Sequence, residues 1–357
     1  MDGIEGPGRR TVIAAATFRR PEGLARLLSA IARLHLNGCG RVEMIVVDND
    51  PAGSALGAVA VRGAGFPIPL RARHEPEPGI AQARNAALDF ALEREADHLA
   101  FIDDDEEPGP DWLRELLRVA RVTGAAGVIG PVDPVYAHPP AHWMARGGFH
   151  ALRPAGWDGT DGGTVAGGYT SNALIDLAFV THEGLRFDPT YALSGGEDTL
   201  FFAEMRRRGG RLVAAKGALV REHVPPGRIT LRWLWRRWAR GGNTDARLRL
   251  RFAAHPSAER PRLVAGGLVR LALGGTGAVL TAPALAFGRG KVPARLARIA
   301  ARGIGFLRLA GGAVTQEYAR SSPMGASLPR LDRDAGRGRS ATPEAPGPEG
   351  RRSRPVR

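Results

Sequence analysis

Five carboxylates in a row, Asp103-Asp104-Asp105-Glu106-Glu107, are the densest chemistry in this chain of 357 residues. Side by side they repel one another and raise each other's pKa values unless cations stand among them. The apolar run ADHLAFI precedes them, so they fall where a buried strand ends. There they suit a hard divalent ion such as Mg2+ or Mn2+, which takes one or two carboxylates plus substrate phosphates. Alternate residues of an extended segment face the same way, so Asp103 and Asp105 are expected to act together. An acidic cap leading into the helix DWLREL accounts for the same residues without a metal. The place at a strand end favours the ion.

Other candidates follow the same logic. Asp48-Asn49-Asp50 closes a second apolar strand, where Asp48 can accept hydrogen bonds from a ribose or a base. An Asx-turn before Pro51 explains the trio equally well. Arg84 and Asn85 interrupt an otherwise apolar helix. In isolation Arg84 reads as solvated; turned inward, it could meet a phosphate or Asp103. Glu197 and Asp198 open a helix that closes on Arg206–Arg208 and glycines, an order that suits the helix dipole.

The elements that must position these groups alternate. TVIAAAT (11–17), VEMIVVDND (42–50), IPLRARHE (68–75), ADHLAFIDDDEEP (96–108) and AAGVIGPVDPV (125–135) read as strands. Between them PEGLARLLSAIARL (21–34), GIAQARNAALDFALERE (79–95) and DWLRELLRVAR (111–121) read as amphipathic helices, the first opened by Pro21. That alternation predicts an α/β fold with a parallel, doubly wound sheet. Ligands of such sheets bind beyond the carboxyl ends of the strands. Thr17, Asp48 and the 103–105 acids all lie there. Farther on, 164–176 reads as strand or hairpin, 195–210 as a helix, 211–224 as two short strands, and 229–243 as a helix interleaving Trp and Arg.

Composition narrows the class. Hydrophobic residues are 43% and charged residues 24%, ordinary for a globular protein and unlike a disordered or polytopic membrane chain. A single cysteine, Cys39, excludes a disulfide scaffold and a cysteine zinc site. Two acids in the first ten residues do not suit a signal peptide, so a cytoplasmic protein is expected. The net charge of +14 is uneven: −5 over residues 1–220 and +19 from Arg221 onward. Residues 271–288 carry no charge, and 289–308 hold six basic residues. A pair of packed helices explains both; a membrane-facing hairpin with a basic collar for anionic headgroups is the favoured reading. From about 321 the chain is rich in Pro, Gly, Arg and Ser and is expected to be disordered.

TFRRPEGL, IVVDND, PGIAQARNAAL, AFIDDDEEP, SGGEDTLFFAEMRRRGGRL, EHVPPGR and LWRRWARGGN occur in that order over about 11–245. The series resembles the family 2 glycosyltransferases of GT-A fold, close to bacterial exopolysaccharide transferases of the succinoglycan type. The resemblance implies a Rossmann-like, mostly parallel sheet flanked by helices, with a C-terminal helical extension. Together with the uncharged run, the basic stretch and the composition of the C-terminal part, it leads to an expected division into a transferase domain (1–245), a membrane-associating helical region (246–320) and a disordered basic tail (321–357). It implies an inverting, metal-dependent transfer from a nucleotide-sugar, a UDP-sugar, to a lipid-linked glycan or polysaccharide at the inner face of the cell membrane. Residue by residue, Thr17 and Arg19 would line the nucleotide entrance, Asp48 would hold uracil or ribose, and Arg84 would stand near the diphosphate. Asp103 and Asp105 would form the D-x-D pair, with Asp105 on the Mg2+ or Mn2+ ion and Asp103 on the ribose or metal-bound water. Asp198 would be the general base. His223 could add a metal or diphosphate ligand, although a lone His is more often structural. Arg236, Arg237 and Trp238 resemble the R-x-R-W element that gathers diphosphate and acceptor in processive relatives. Its usual leading Gln is absent, which argues against processive synthesis.

Two other classes are weighed on the residues. A sugar nucleotidyltransferase needs a Gly-rich phosphate loop after the first strand, where this chain reads ATFRRPEG. A nucleic-acid binder would suit the basic third, but those arginines accompany apolar helices and no nucleic-acid module, so no nucleic-acid partner is expected.

Overall fold

A computed structural model describes residues 9–314. The chain begins with β1 (Arg10–Thr17), α1 (Pro21–Ile31), β2 (Arg41–Asp48), α2 (Leu56–Gly63), β3 (Leu70–His74), α3 (Ile80–Glu93), β4 (His98–Ile102), β5 (Glu106–Pro108) and α4 (Trp112–Thr123). It continues with β6 (Gly127–Ile129), β7 (Val132–Tyr136), α5 (His142–Gly147), β8 (Asn172–Asp176), α6 (Leu177–His182), α7 (Glu197–Arg207), β9 (Leu212–Ala214) and β10 (Val220–Val224). Three helices follow: α8 (Leu231–Phe252), α9 (Pro256–Thr281) and α10 (Lys291–Ala310).

The main sheet has seven strands in the order β3-β2-β1-β4-β8-β6-β9. All its pairs are parallel except those of β8, which runs antiparallel to both β4 and β6. This is the mostly parallel, Rossmann-like sheet that the resemblance implies. Alternation along each strand feeds two cores. Val12, Ala14, Ile45 and Val47 pack under α3 and α7; Ile13, Ala15, Met44 and Val46 pack under α1 and α4. All five residues of β4 are buried, the pattern of a strand covered on both faces. The chain starts in the middle, fills β2 and β3 to one side, then crosses to β4. The crevice between the ends of β1 and β4 is therefore the switch point where such sheets bind ligands.

The structure revises several strand boundaries. The expected strand 96–108 breaks after Ile102, because the acids 103–105 form a turn and Glu106 N–H donates to the Asp103 carbonyl at 3.3 Å. The expected strand 125–135 breaks at Gly130-Pro131, and its second half joins a separate three-stranded sheet, β5-β10-β7. Only Asn172–Asp176 of 164–176 is a strand. Helix α2 buries Val59 alone, so no apolar stripe announced it.

Helix α8 runs unbroken from Leu231 to Phe252, through the expected domain boundary at 245. Thr230 caps its start by accepting from the Trp233 N–H at 3.2 Å, and the helix continues through Gly241-Gly242, where a Cβ on Gly242 would meet the Arg302 carbonyl oxygen of α10 at 2.2 Å. The proposed tail 321–357 lies outside the described residues.

Candidate active site

The acid turn is held by its neighbours on every side. Asp104 points inward and is 4% exposed. Its oxygens accept from Thr17 Oγ1 at 2.8 Å and from Arg20 at 2.9 Å. Thr17 thus bridges the ends of β1 and β4. Helix α1 starts close by: a Cβ on Gly23 would sit 2.7 Å from the Asp104 carbonyl oxygen, so only glycine lets the helix approach the turn this closely. Arg20 also donates to Asp105 at 2.9 Å, and Arg228 lies 3.6 Å from the same carboxylate. Neither arginine stood out in the sequence, because pairing across 85 residues for Arg20 and 123 for Arg228 leaves no local signature.

Asp103 and Asp105 both line a cleft of about 470 Å³, as expected, although a turn rather than an extended strand turns them the same way. Asp103 keeps 43% of its side chain open to that cleft. Even so, crowding by protein pushes its carboxyl pKa up to about 7; Arg84 opposes the shift, and Asp105 and Asp104 add to it. Glu106 is buried and accepts from the Asp103 N–H at 2.9 Å. Its pKa is raised well above the usual range, first by burial and then by Asp103. Glu222, opposite Glu106 on β10, also faces the cleft.

His223 does not join Asp103 and Asp105 on the cleft side. Residues alternate on β10, so with Glu222 toward the cleft His223 points away. Its Nε2 lies 2.7 Å from Glu107, and it does not line the cleft. The single-residue offset that separates Glu222 from His223 sets the side each takes.

Arg84 is 7% exposed, against the solvated reading of the isolated residue. It forms a buried ion pair with Glu197 and stands 3.6 Å from Asp103. A guanidinium in an apolar helix needs such a partner, since an unpaired buried charge is costly. Glu197 and Asp198 open α7 after Gly196, whose φ is +88°. That left-handed turn sends Glu197 inward and Asp198 to the cleft. A Cβ at Gly196 would also meet Thr244 of α8 at 2.6 Å. Asp198 Oδ1 accepts from the Thr199 N–H at 2.6 Å and from its hydroxyl at 3.1 Å. Both bonds fall on one oxygen, and Asp198 lines the cleft.

The opposite wall comes from α8 and α10. Trp233, Arg237, Arg240 and Thr244 recur at helical spacing and line the cleft with Trp238. The Arg237 guanidinium stacks over Trp233 at 5.1 Å. Trp238 is 5% exposed and packs edge-on against Phe149, with centroids 5.3 Å apart. Arg236, one step along the helix, is exposed and does not line the cleft. Arg298 and Arg302 reach the cleft from α10, where Arg302 pairs with Asp245. The sequence reading passed over Arg240, Arg298 and Arg302; the i, i+4 repeat of Arg298 and Arg302 on a basic helix was the available signal.

Arg19 and Asp50 form a separate feature on the far side of Thr17. Two guanidinium nitrogens of Arg19 donate to Asp50 at 3.0 Å each, with Arg19 at φ +52°. These bonds lower the Asp50 pKa to about 2. Asp48, fully buried, turns into its own loop: its oxygens accept from Asp50 N–H at 3.0 Å and Ala55 N–H at 2.6 Å. The Asx-turn alternative describes Asp48 in this structure, and Asp50, with Arg19 and Thr17, lines a second cavity.

The residues fit a divalent ion in one respect: Asp103 and Asp105 bring two hard oxygen donors to one open cleft. Among the described residues no group of three or more His, Cys, Asp or Glu forms a full ligand set. Two carboxylates are the protein share that Mg2+ takes when substrate phosphates supply other ligands.

Known proteins resemble the chain in sequence. Residues 12–174 match the model for glycosyl transferase family 2, and 98–292 match that for glycosyl transferase family group 2. The chain is 40% identical over 236 residues to succinoglycan biosynthesis protein ExoM of Rhizobium meliloti (strain 1021), covering 66% of this chain and 74% of that protein. Among solved structures, S. aureus TarS 1-349 in complex with UDP-GlcNAc aligns with a TM-score of 0.47 at 13% identity, over 82% of this chain and 90% of that one. TarS 1-349 in complex with UDP gives 0.46 at 14%, over 85% and 92%. A family model that spans more than half of the chain and a relative of 40% identity agree, and the acid turn and the Glu197-Asp198 helix start fall within the matched residues: the chain belongs to the family 2 glycosyltransferases.

Proposed function

We propose that the protein transfers a sugar from a UDP-sugar to a lipid-linked glycan or polysaccharide, inverting the anomeric centre, during exopolysaccharide assembly at the cytoplasmic face of the membrane. The observation that carries this reading is the shared cleft. Asp198 lines the same space that Asp103, Asp105, Arg84 and Arg237 line. The name of the 40% identical relative supports the polysaccharide setting.

Each residue then has a task. Thr17 fixes the acid turn through Asp104, and Arg19 with Asp50 guards the nucleotide entrance. Arg84 and Arg237 meet the donor diphosphate, whose charge must be neutralised as the glycosidic bond breaks. When bound at Asp103 and Asp105, Mg2+ or Mn2+ supplies further neutralisation of that leaving group. Asp198 takes the proton from the acceptor hydroxyl as the oxygen attacks the anomeric carbon. The C–O bond to the diphosphate breaks as the new one forms, so one displacement inverts the centre. Glu197 positions Arg84 and does not touch the reacting atoms.

A panel of nucleotide sugars incubated with the protein and Mg2+ or Mn2+ tests the donor half without any acceptor. Slow release of UDP from one UDP-sugar, stopped by EDTA, is the expected result. Release from no nucleotide sugar with either ion, by protein of normal melting behaviour, would count against the reading.

A further inference from the structure

Helix α9 has two opposed faces. Leu263, Gly267 and Gly274 are buried, at positions i, i+4 and i+11. Val269, Leu273 and Leu280 repeat that spacing on the opposite side and are 55%, 69% and 74% exposed. The following turn adds Phe287 at 80%. Among the described residues, Pro256–Phe287 is the one stretch long and apolar enough to cross a membrane, and 17% of its apolar window is buried. A core helix of a soluble protein would be mostly covered.

Length does not decide how such a helix meets a bilayer. Twenty-six residues rise about 39 Å, and a hydrocarbon core is about 30 Å thick. Packing does decide. The buried face of α9 is pressed on α10 through small residues. A Cβ on Gly274 would come within 2.5 Å of the Ala300 nitrogen, and one on Gly303 within 2.6 Å of the Gly267 carbonyl oxygen. Helix α10 is tied as closely to α8, where a Cβ on Gly305 would sit 2.1 Å from the Ala239 carbonyl oxygen. Helix α8 lines the cleft. A crossing α9 would either abandon this contact or pull Arg295, Arg298 and Arg302 into lipid, where arginine is costly.

Charge names the partner. Residues 260–310 hold nine basic residues and no acid. Arg260 and Arg262 precede the apolar stretch; Arg289, Lys291 and Arg295 follow it, all exposed. An apolar stripe flanked by cations matches a bilayer with anionic headgroups, in which a helix lies in the interface plane with its apolar face sunk about 5–10 Å.

We propose that the α9–α10 hairpin is a monotopic membrane seat: α9 lies in the plane of an anionic bilayer and does not cross it. Because α10 carries Arg298 and Arg302 into the cleft, the seat would hold the cleft beside the lipid surface, where a lipid-linked acceptor enters. This rests on the membrane placement in the reading above and is independent of the transfer chemistry.

The test uses the full chain and vesicles of phosphatidylcholine with roughly one-third phosphatidylglycerol. The protein should float with them and not with pure phosphatidylcholine. The triple variant Leu273→Glu, Leu280→Glu, Phe287→Glu replaces exposed side chains only, so its melting curve should stay unchanged while flotation falls at least tenfold. Arg289→Gln with Lys291→Gln and Arg295→Gln should weaken flotation and its salt sensitivity. For topology, Ser257→Cys and Arg289→Cys, made singly with Cys39→Ser and expressed in cells, bracket α9. In sealed inverted vesicles from those cells an impermeant maleimide should label both. Labelling of one end alone would show a span and overturn the proposal. Equal flotation of the triple variant, or no flotation of the parent, would overturn it as well. UDP-sugar hydrolysis by the triple variant should match the parent, so a failed seat and a failed transferase reading give different results.

Discussion

The cleft has one wall from the sheet rim and one from α8 and α10, and the two treat charge differently. On the rim charges are paired within the protein. Asp104 is shared by Thr17 and Arg20, Arg84 is shared by Glu197 and Asp103, and Arg20 and Arg228 flank Asp105. On the helical wall arginines outnumber acids: Arg237, Arg240, Arg298 and Arg302 face the cleft with Asp245. The rim is built to hold a fixed geometry. The helical wall turns a net positive face to the cleft.

Breaking the rim should have the larger effects. Asp105→Ala removes one of the two carboxylates of the D-x-D pair that line the cleft and should abolish metal-dependent UDP binding by calorimetry, as EDTA should for the parent. Glu107→Ala, directed at His223 instead, should change UDP affinity little. Glu197→Ala leaves Arg84 buried without its closest partner, and loss of one member of a buried pair costs about 3–5 kcal/mol. A large fall in Tm is expected. The pair change Arg84→Met with Glu197→Leu should recover much of the Tm but not the activity, and full activity in that double variant would remove Arg84 from the donor site. The helical wall should answer more mildly. Arg237→Ala should raise the KM for donor by roughly ten- to a hundredfold, the scale of a hydrogen bond to a charged group. Arg236→Ala, on the solvent side, should leave KM and Tm unchanged. Equal effects of the two would blur the distinction between the faces of α8.

The sequence exposed the rim more readily than the helical wall. Strand periodicity located β1, β2 and β4, and with them Thr17, Asp103 and Asp105, because buried strands write their ends as abrupt changes from apolar to polar. It did not show that 103–105 form a turn, since five acids look the same extended or bent. The role of Arg84 was ambiguous for a different reason: its partner Glu197 is 113 residues away, and nothing local reports the pairing. Asp48 turned into its own loop, because which way an acid of an Asx-turn faces depends on hydrogen bonds two to seven residues on. His223 meets Glu107 and not Asp103 or Asp105 because residues alternate along its strand, and Arg236 misses the cleft through helical phase. Both errors are of a single residue, the step at which period-2 and period-3.6 patterns change face.

Asp198 bears the central claim, and Asp198→Asn tests it most directly. Asparagine keeps the shape and can still accept from Thr199, but it cannot take a proton from the acceptor. Turnover in sugar transfer should fall by roughly 10²–10⁴-fold, the scale of general acid–base catalysis, while UDP-sugar affinity stays within a few-fold because the group acts in the transition state. If Asp198 only supported the start of α7, asparagine would forfeit just its charge at the helix start, at most about 1 kcal/mol of stability, and leave turnover intact. Transfer assays, donor binding and melting curves on the one variant separate these outcomes. A well-folded Asp198→Asn protein with near-normal transfer would contradict the account.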